Sequence, residues 1–161
     1  MDGRGTEQPK LGVLKSLMEG GCEARCLQVR RKGLRRILAK LRGGTAELRV
    51  ETGRWVGLER EDRICGQCCS GEVENVEHFI LRCGKLTRER EVFVRRMEER
   101  VDGFDKRGDE EKVMLVLNEA CKDGRAGRAV ERMWERRFFV PDESKPSFQM
   151  CWYPLLIFAD N

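Results

Sequence analysis

Residues 65–83 read CGQCCSGEVENVEHFILRC, and this stretch decides what kind of fold the chain can have. It holds four of the eight cysteines and the single histidine of the 161-residue chain. Cys65, Cys68, His78 and Cys83 stand in the order C-x2-C-x9-H-x4-C. Two thiolates separated by two residues bend around one ion in a tight knuckle, a turn that Gly66 eases. Three sulfurs and one imidazole suit a closed tetrahedral site, so one structural Zn2+ is the expected cofactor. Iron clusters are more often held by four cysteines, and hard cations take oxygen ligands.

The second half of the motif needs a different geometry. If His78 opens a short helix, Cys83 lies too far round for helical overlap. It belongs in the last turn or just beyond, with Gly84 closing the helix. Phe79, Ile80 and Leu81 then give apolar cover. Cys69 leaves alternatives: it could replace Cys68 in a C-x3-C pair, add a fifth donor, or stand by as a reactive thiol, but the x2 spacing favours Cys68. Glu77 either orients the imidazole or caps its helix. Cys22, Cys26, Cys121 and Cys151 read as structural or buried, although Cys22 and Cys26 could form a second half-site if the fold brought them near.

Upstream of the knuckle the chain is basic. The formal net charge is only +4, yet residues 25–60 carry 11 Lys or Arg against 3 Glu, a local +8 that leaves −4 for the rest. Such asymmetry favours nucleic acid or an acidic partner over a neutral metabolite. A composition 40% apolar and 37% charged, with mean hydropathy −0.59, fits a globular chain with a charged surface. The opening MDGRGTEQPKLG has no apolar run of signal-peptide type, and residues 152–159 are too short and Pro-broken to span a bilayer. An intracellular setting, nucleus or cytoplasm, is therefore expected, and a reducing compartment favours metal ligation over disulfides.

The periodicity predicts a mainly α fold, a small zinc-stabilised helical module with a short β element before the CCHC knuckle and additional C-terminal helices. Four segments follow: 1–22, a polar lead with a short helix over 11–18; 23–101, a basic helix plus the CCHC module; 102–139, a C-terminal helical pair; and 140–161, a tail rich in Pro and aromatics. The basic helix, about 23–41, places Leu27, Leu34, Ile37, Leu38 and Leu41 on one face. Residues 46–50 alternate as a short strand, 51–54 read as a turn, and Trp55, Val56 and Leu58 read as apolar anchors. Helices are expected over 86–101, from an Asp109 cap onward, and over 125–138.

The stretch from Leu38 to Glu91 resembles the cysteine-rich region that follows the polymerase core in reverse transcriptases of non-LTR retrotransposons. The resemblance runs through Leu41-Arg42 with Gly44; Leu48, Glu51, Gly53 and Arg54; Arg63, Cys65 and Cys68; Glu74, Glu77, His78, Phe79 and Cys83; and Arg88 or Arg90. It covers residues 25–93 and extends to Arg137 if the two following helices belong to it. It implies a zinc-binding module that helps hold template RNA or target DNA. The polymerase residues are absent, Asp105, Asp109 and Asp123 lack a partner carboxylate for catalytic metal, and Cys83 is followed by Gly84 where that family often has proline.

The function expected is therefore binding, with no catalytic residues: a zinc-dependent nucleic-acid-binding module derived from such a polyprotein. RNA or single-stranded nucleic acid is the preferred partner. Arg30, Arg31, Arg35, Arg36, Arg42, Arg49 and Arg54 are the candidate phosphate contacts. Trp55 reads first as a core anchor and second as a base-stacking platform. The alternative is a zinc-stapled protein-interaction module whose aromatic tail docks to a protein partner. A single histidine, already taken as a ligand, leaves little material for acid–base or nucleophilic chemistry.

Overall fold

A computed structural model describes residues 25–138. The expected helix over 11–18, Cys22, and the tail with Cys151, Trp152, Tyr153 and Phe158 lie outside the described residues. The basic helix begins later than the sequence suggests. A 3-10 turn, Arg25–Gln28, comes first, then Arg31 in extended conformation, and α1 spans Lys32–Arg42. Its Leu34, Ile37, Leu38 and Leu41 are buried at the spacing that makes one helical stripe.

The expected β element is not there. Among the described residues no strand forms, and 46–50 instead lead through an extended Leu48 into α2, Arg49–Trp55, so the expected turn over 51–54 is helical as well. The alternation of Leu48 and Val50 reported burial in part, since Leu48 is buried and Val50 half-buried. It did not report backbone state, which is set from a distance. Leu48 has no side-chain oxygen with which to cap a helix, but the Glu74 carboxylate accepts the Arg49 N–H at 2.7 Å and the Glu74 carbonyl accepts the Val50 N–H at 3.1 Å. At the other end Arg63 donates to the Val50 and Leu58 carbonyls and lies so close to Gly53 that a Cβ there would sit 2.6 Å from its Cγ. Gly53, which by propensity argues against a helix, is the residue that lets Arg63 clamp it. The sole sheet-like pairing among the described residues is one antiparallel bridge, Ile64 with Val73.

Past the knuckle, α3 spans Thr87–Arg100, α4 spans Asp109–Lys122 and α5 spans Gly124–Arg137. Asp109 does not cap α4. Gly108 holds that position, while Asp109, Glu110 and Glu111 place negative charge on the first turn, where the helix dipole favours it. Asp123 ends α4 and caps α5, accepting the Arg125 N–H at 2.7 Å. Although last in the described chain, α5 is central: it packs against α1, α3 and α4. The approach is close enough that a Cβ on Gly127 would lie 2.6 Å from a Leu34 methyl and 2.9 Å from the Ala120 carbonyl. Phe93 and Met97 of α3, Val113, Val116 and Leu117 of α4, and Ala129, Val130 and Met133 of α5 complete the core. No described helix is long and apolar enough to cross a membrane.

Candidate metal centre

The four residues named by spacing converge. One donor atom from each of Cys65, Cys68, His78 and Cys83 lies within 4.8 Å of the others, and Cys69 is not among them. The Cys65 and Cys83 sulfurs are 4.0 Å apart and the Cys68 sulfur is 3.3 Å from His78 Nε2. Tetrahedral coordination at ordinary zinc bond lengths needs about 3.8 Å between sulfurs and about 3.6 Å between sulfur and nitrogen.

The H-x4-C spacing is solved by a wide turn. In an α-helix five residues rotate by 500°, leaving Cys83 about 140° away from His78. Residues His78–Arg82 instead form one π-helical turn, closed by the Cys83 N–H donating to the His78 carbonyl at 2.7 Å. This i-to-i+5 closure lays the fifth residue back over the first, at the kind of site where π turns tend to occur. Asn75 starts the turn, its side chain accepting the His78 N–H at 2.8 Å and its carbonyl the Phe79 N–H at 3.0 Å. Arg90 of α3 fixes the far end by donating to the Ile80 and Cys83 carbonyls. The expected apolar cover is present: Phe79 and Ile80 are buried, and Phe79 meets the edge of Trp134 on α5 with ring centroids 5.9 Å apart.

His78 is fully buried, and its Nδ1 is 2.8 Å from the carboxylate of Glu72. That contact assigns the proton to Nδ1 and turns the Nε2 lone pair toward the sulfurs, the arrangement typical of metal-ligating histidines. The residue holding the imidazole is thus Glu72 and not Glu77, which makes no capping hydrogen bond at the start of the turn. Six residues from His78, Glu72 has no helical register to betray it. Arg82 lies 3.5 Å from Glu72 and 3.4 Å from Asp109, linking the centre to the start of α4.

The electrostatics fit a cation. The Cys65 thiol donates toward Cys83, which, together with burial, pushes Cys65 up to about 12, while the same contact lowers Cys83. Burial pulls the His78 imidazole down, but contacts with the Cys65 sulfur and the Glu72 carboxylate outweigh it and hold His78 at about 9. Without a metal Cys65 and His78 hold protons, Cys65 because a second buried thiolate beside Cys83 is too costly to charge. A divalent cation in their midst displaces those protons.

The other predicted residues divide. Arg42 is 5% exposed and donates to the Leu117 carbonyl, Asn118 and Cys121, so it ties α1 to α4 and is unavailable to phosphate. Arg31 pairs with Glu131 at 2.8 Å and Arg54 with Glu51 at 3.5 Å, both remaining about half exposed. Arg30, Arg36 and Arg49 are exposed and Arg35 is half-buried. Trp55 is not a core anchor: it is 73% exposed, beside Val56 at 71%. Cys26 is buried in the core and Cys121 is half-buried, its thiol donating to the Leu117 carbonyl at 3.2 Å.

Fold and site together define a small helical domain built around a buried Cys-Cys-His-Cys cluster able to chelate a metal ion. In comparison with known proteins the chain matches no protein-family model, no curated protein and no solved structure.

Proposed function

We propose that this chain is a zinc-stapled nucleic-acid-binding module, of the kind implied by its resemblance to the cysteine-rich region of non-LTR retrotransposon reverse transcriptases. Zinc held by Cys65, Cys68, His78 and Cys83 is coordinatively closed and supplies folding free energy in place of catalysis. The observation that carries the reading is the exposure of Trp55 beside Arg54 at the end of α2. An aromatic ring in water, flanked by Arg54 and sharing its helix with Arg49, is costly to a fold and useful to a ligand with stacked bases and phosphates. The helix bearing it is anchored at both ends by Glu74 and Arg63, whose backbones flank the knuckle. Metal binding thereby holds the reading surface in place. Single-stranded or structured RNA suits a lone stacking residue better than duplex DNA, whose bases are already stacked.

Trp55 next to Val56 also suits a protein hot spot, and salt dependence separates the two readings. Metal-loaded protein is titrated by fluorescence anisotropy into a labelled 20-nucleotide RNA and a 20-base-pair DNA. The expected result is binding that weakens steeply with salt and that Trp55→Ala reduces by about 1–3 kcal/mol for a stacked base, with the melting temperature unchanged. Absence of binding to both at low salt refutes the proposal.

A further inference from the structure

Away from the metal centre, α5 carries a row that charge counting over 25–60 passes by. Arg125, Arg128 and Arg132 are exposed and recur at three- and four-residue spacing, so they share one flank, away from the buried Ala126, Ala129, Val130 and Met133. None of the three side chains has an ion pair with a described residue. The neighbouring α5 arginines do: Arg136 meets Glu89 at 2.7 Å and Arg137 meets Glu74 at 2.7 Å. Glu131 is taken by Arg31, just ahead of α1, at 2.8 Å, and Glu135 is a carboxylate exposed beside the row. Lys32 and Arg36 are exposed on α1, a helix that packs against α5.

Three guanidinium groups in line, without an ion pair among the described residues, repel one another and contribute nothing to the core, so their use lies outside the fold. The row spans about 10 Å of helix, an axial length over which one strand of a duplex presents about three phosphates. None of the large exposed apolar side chains, Trp55, Val56, Val92 and Phe138, lies within it. A protein interface wants an apolar centre depleted of charge, whereas a phosphate backbone needs only donors at intervals. We infer that the α5 row is a phosphate-backbone contact surface for nucleic acid, additional to the aromatic surface on α2. This inference rests on the functional reading above and adds a second, sequence-independent point of attachment.

The test uses the full metal-loaded chain with Arg125→Gln, Arg128→Gln and Arg132→Gln combined, and Arg88→Gln with Arg95→Gln on the exposed face of α3 as the control. Glutamine keeps helix propensity, and thermal melting checks that both variants fold. Affinity for the 20-nucleotide RNA and the 20-base-pair DNA is measured between 50 and 300 mM salt. Three lost phosphate contacts lower the slope of log affinity against log salt by about 2 on the single strand and weaken binding about 100-fold at 0.1 M salt. The Trp55→Ala variant should keep its slope. If wild type binds and Trp55→Ala weakens it, yet the triple variant keeps wild-type slope, or the control loses as much slope per charge, the inference fails while the functional reading stands. If wild type binds neither nucleic acid, both fail. Equal loss of binding to an acidic polyglutamate probe but none to nucleic acid assigns the row to a protein and overturns the inference.

Discussion

Replacing Glu74 by Gln should be among the most damaging single-atom changes available to this fold. The Glu74 side chain is nearly inaccessible, its two oxygens accept from Arg137 Nε at 2.7 Å and Nη2 at 2.8 Å, and one of them also accepts the first N–H of α2 at 2.7 Å. Glutamine keeps the shape but removes the charge and sets an amide NH2 against donors. Breaking one side of a buried ion pair costs about 3–5 kcal/mol. Because Arg137 keeps 11% of its side-chain surface in water, the lower end applies, and partial loss of an N-terminal cap adds about 1 kcal/mol. Glu74→Gln is therefore expected to lose about 4 kcal/mol, and Arg137→Leu, which spares the cap, about 3 kcal/mol. At about 4 °C per kcal/mol for a domain of this size, the melting temperature of Glu74→Gln falls by roughly 15 °C. Urea unfolding of the zinc-loaded protein followed by circular dichroism gives both values, and the double variant should cost well under their sum because the two residues share one interaction. Additive losses, or a loss below 1 kcal/mol for Glu74→Gln, would refute the assignment of this pair as the joint between α2, the knuckle and α5.

Gly127→Ala should destabilise by about 2 kcal/mol, since its methyl would meet the Ala120 backbone at 2.9 Å. Gly33→Ala, with its nearest atom 3.4 Å away on the Glu131 carboxylate, should be neutral or slightly stabilising; urea titrations of both variants check the contrast. Glu72→Gln should weaken metal retention about 10- to 100-fold in competition with a chromophoric chelator while Glu77→Gln leaves it unchanged; equal effects would remove Glu72 from its orienting role. At pH 7 the metal-free donors hold protons on Cys65, pushed up to about 12, and on His78, at about 9. The loaded form binds fewer protons, so zinc affinity rises with pH and is lost as pH falls, and calorimetry in buffers of different ionisation enthalpy should show at least the two protons of Cys65 and His78 released per zinc.

Helices whose stabilising partners repeat locally were legible in the sequence. Leu34, Ile37, Leu38 and Leu41 announce α1, and Val113, Val116, Leu117 and Ala120 announce α4, because one apolar face needs only the 3.6 period to be seen. The ligand set was legible for a related reason: C-x2-C and H-x4-C each close over a few residues. What stayed hidden depends on pairs far apart in the chain. The helical state of α2 is imposed by Glu74, 25 residues from Arg49, and its Gly53 makes sense only once Arg63 lies against it. Arg42 looked like a surface cation because its acceptors, Leu117 and Asn118, are more than 70 residues away. Trp55 looked like core because apolar residues usually are, yet it closes α2 just ahead of the left-handed Gly57 with its ring and the neighbouring Val56 in water.

The central place of α5 has a consequence for how the chain matures. A protein emerging from the ribosome in order has already made α1, α3 and α4 before the helix on which all three pack. The apolar stripe of α1 therefore waits for most of the domain to be synthesised before Gly127 arrives beneath Leu34. The metal cluster waits for nothing so remote, since its four ligands are complete once residue 83 has emerged. On a nascent chain an ion bound there would be an early organiser, able to hold the middle of the described domain in shape until α5 arrives.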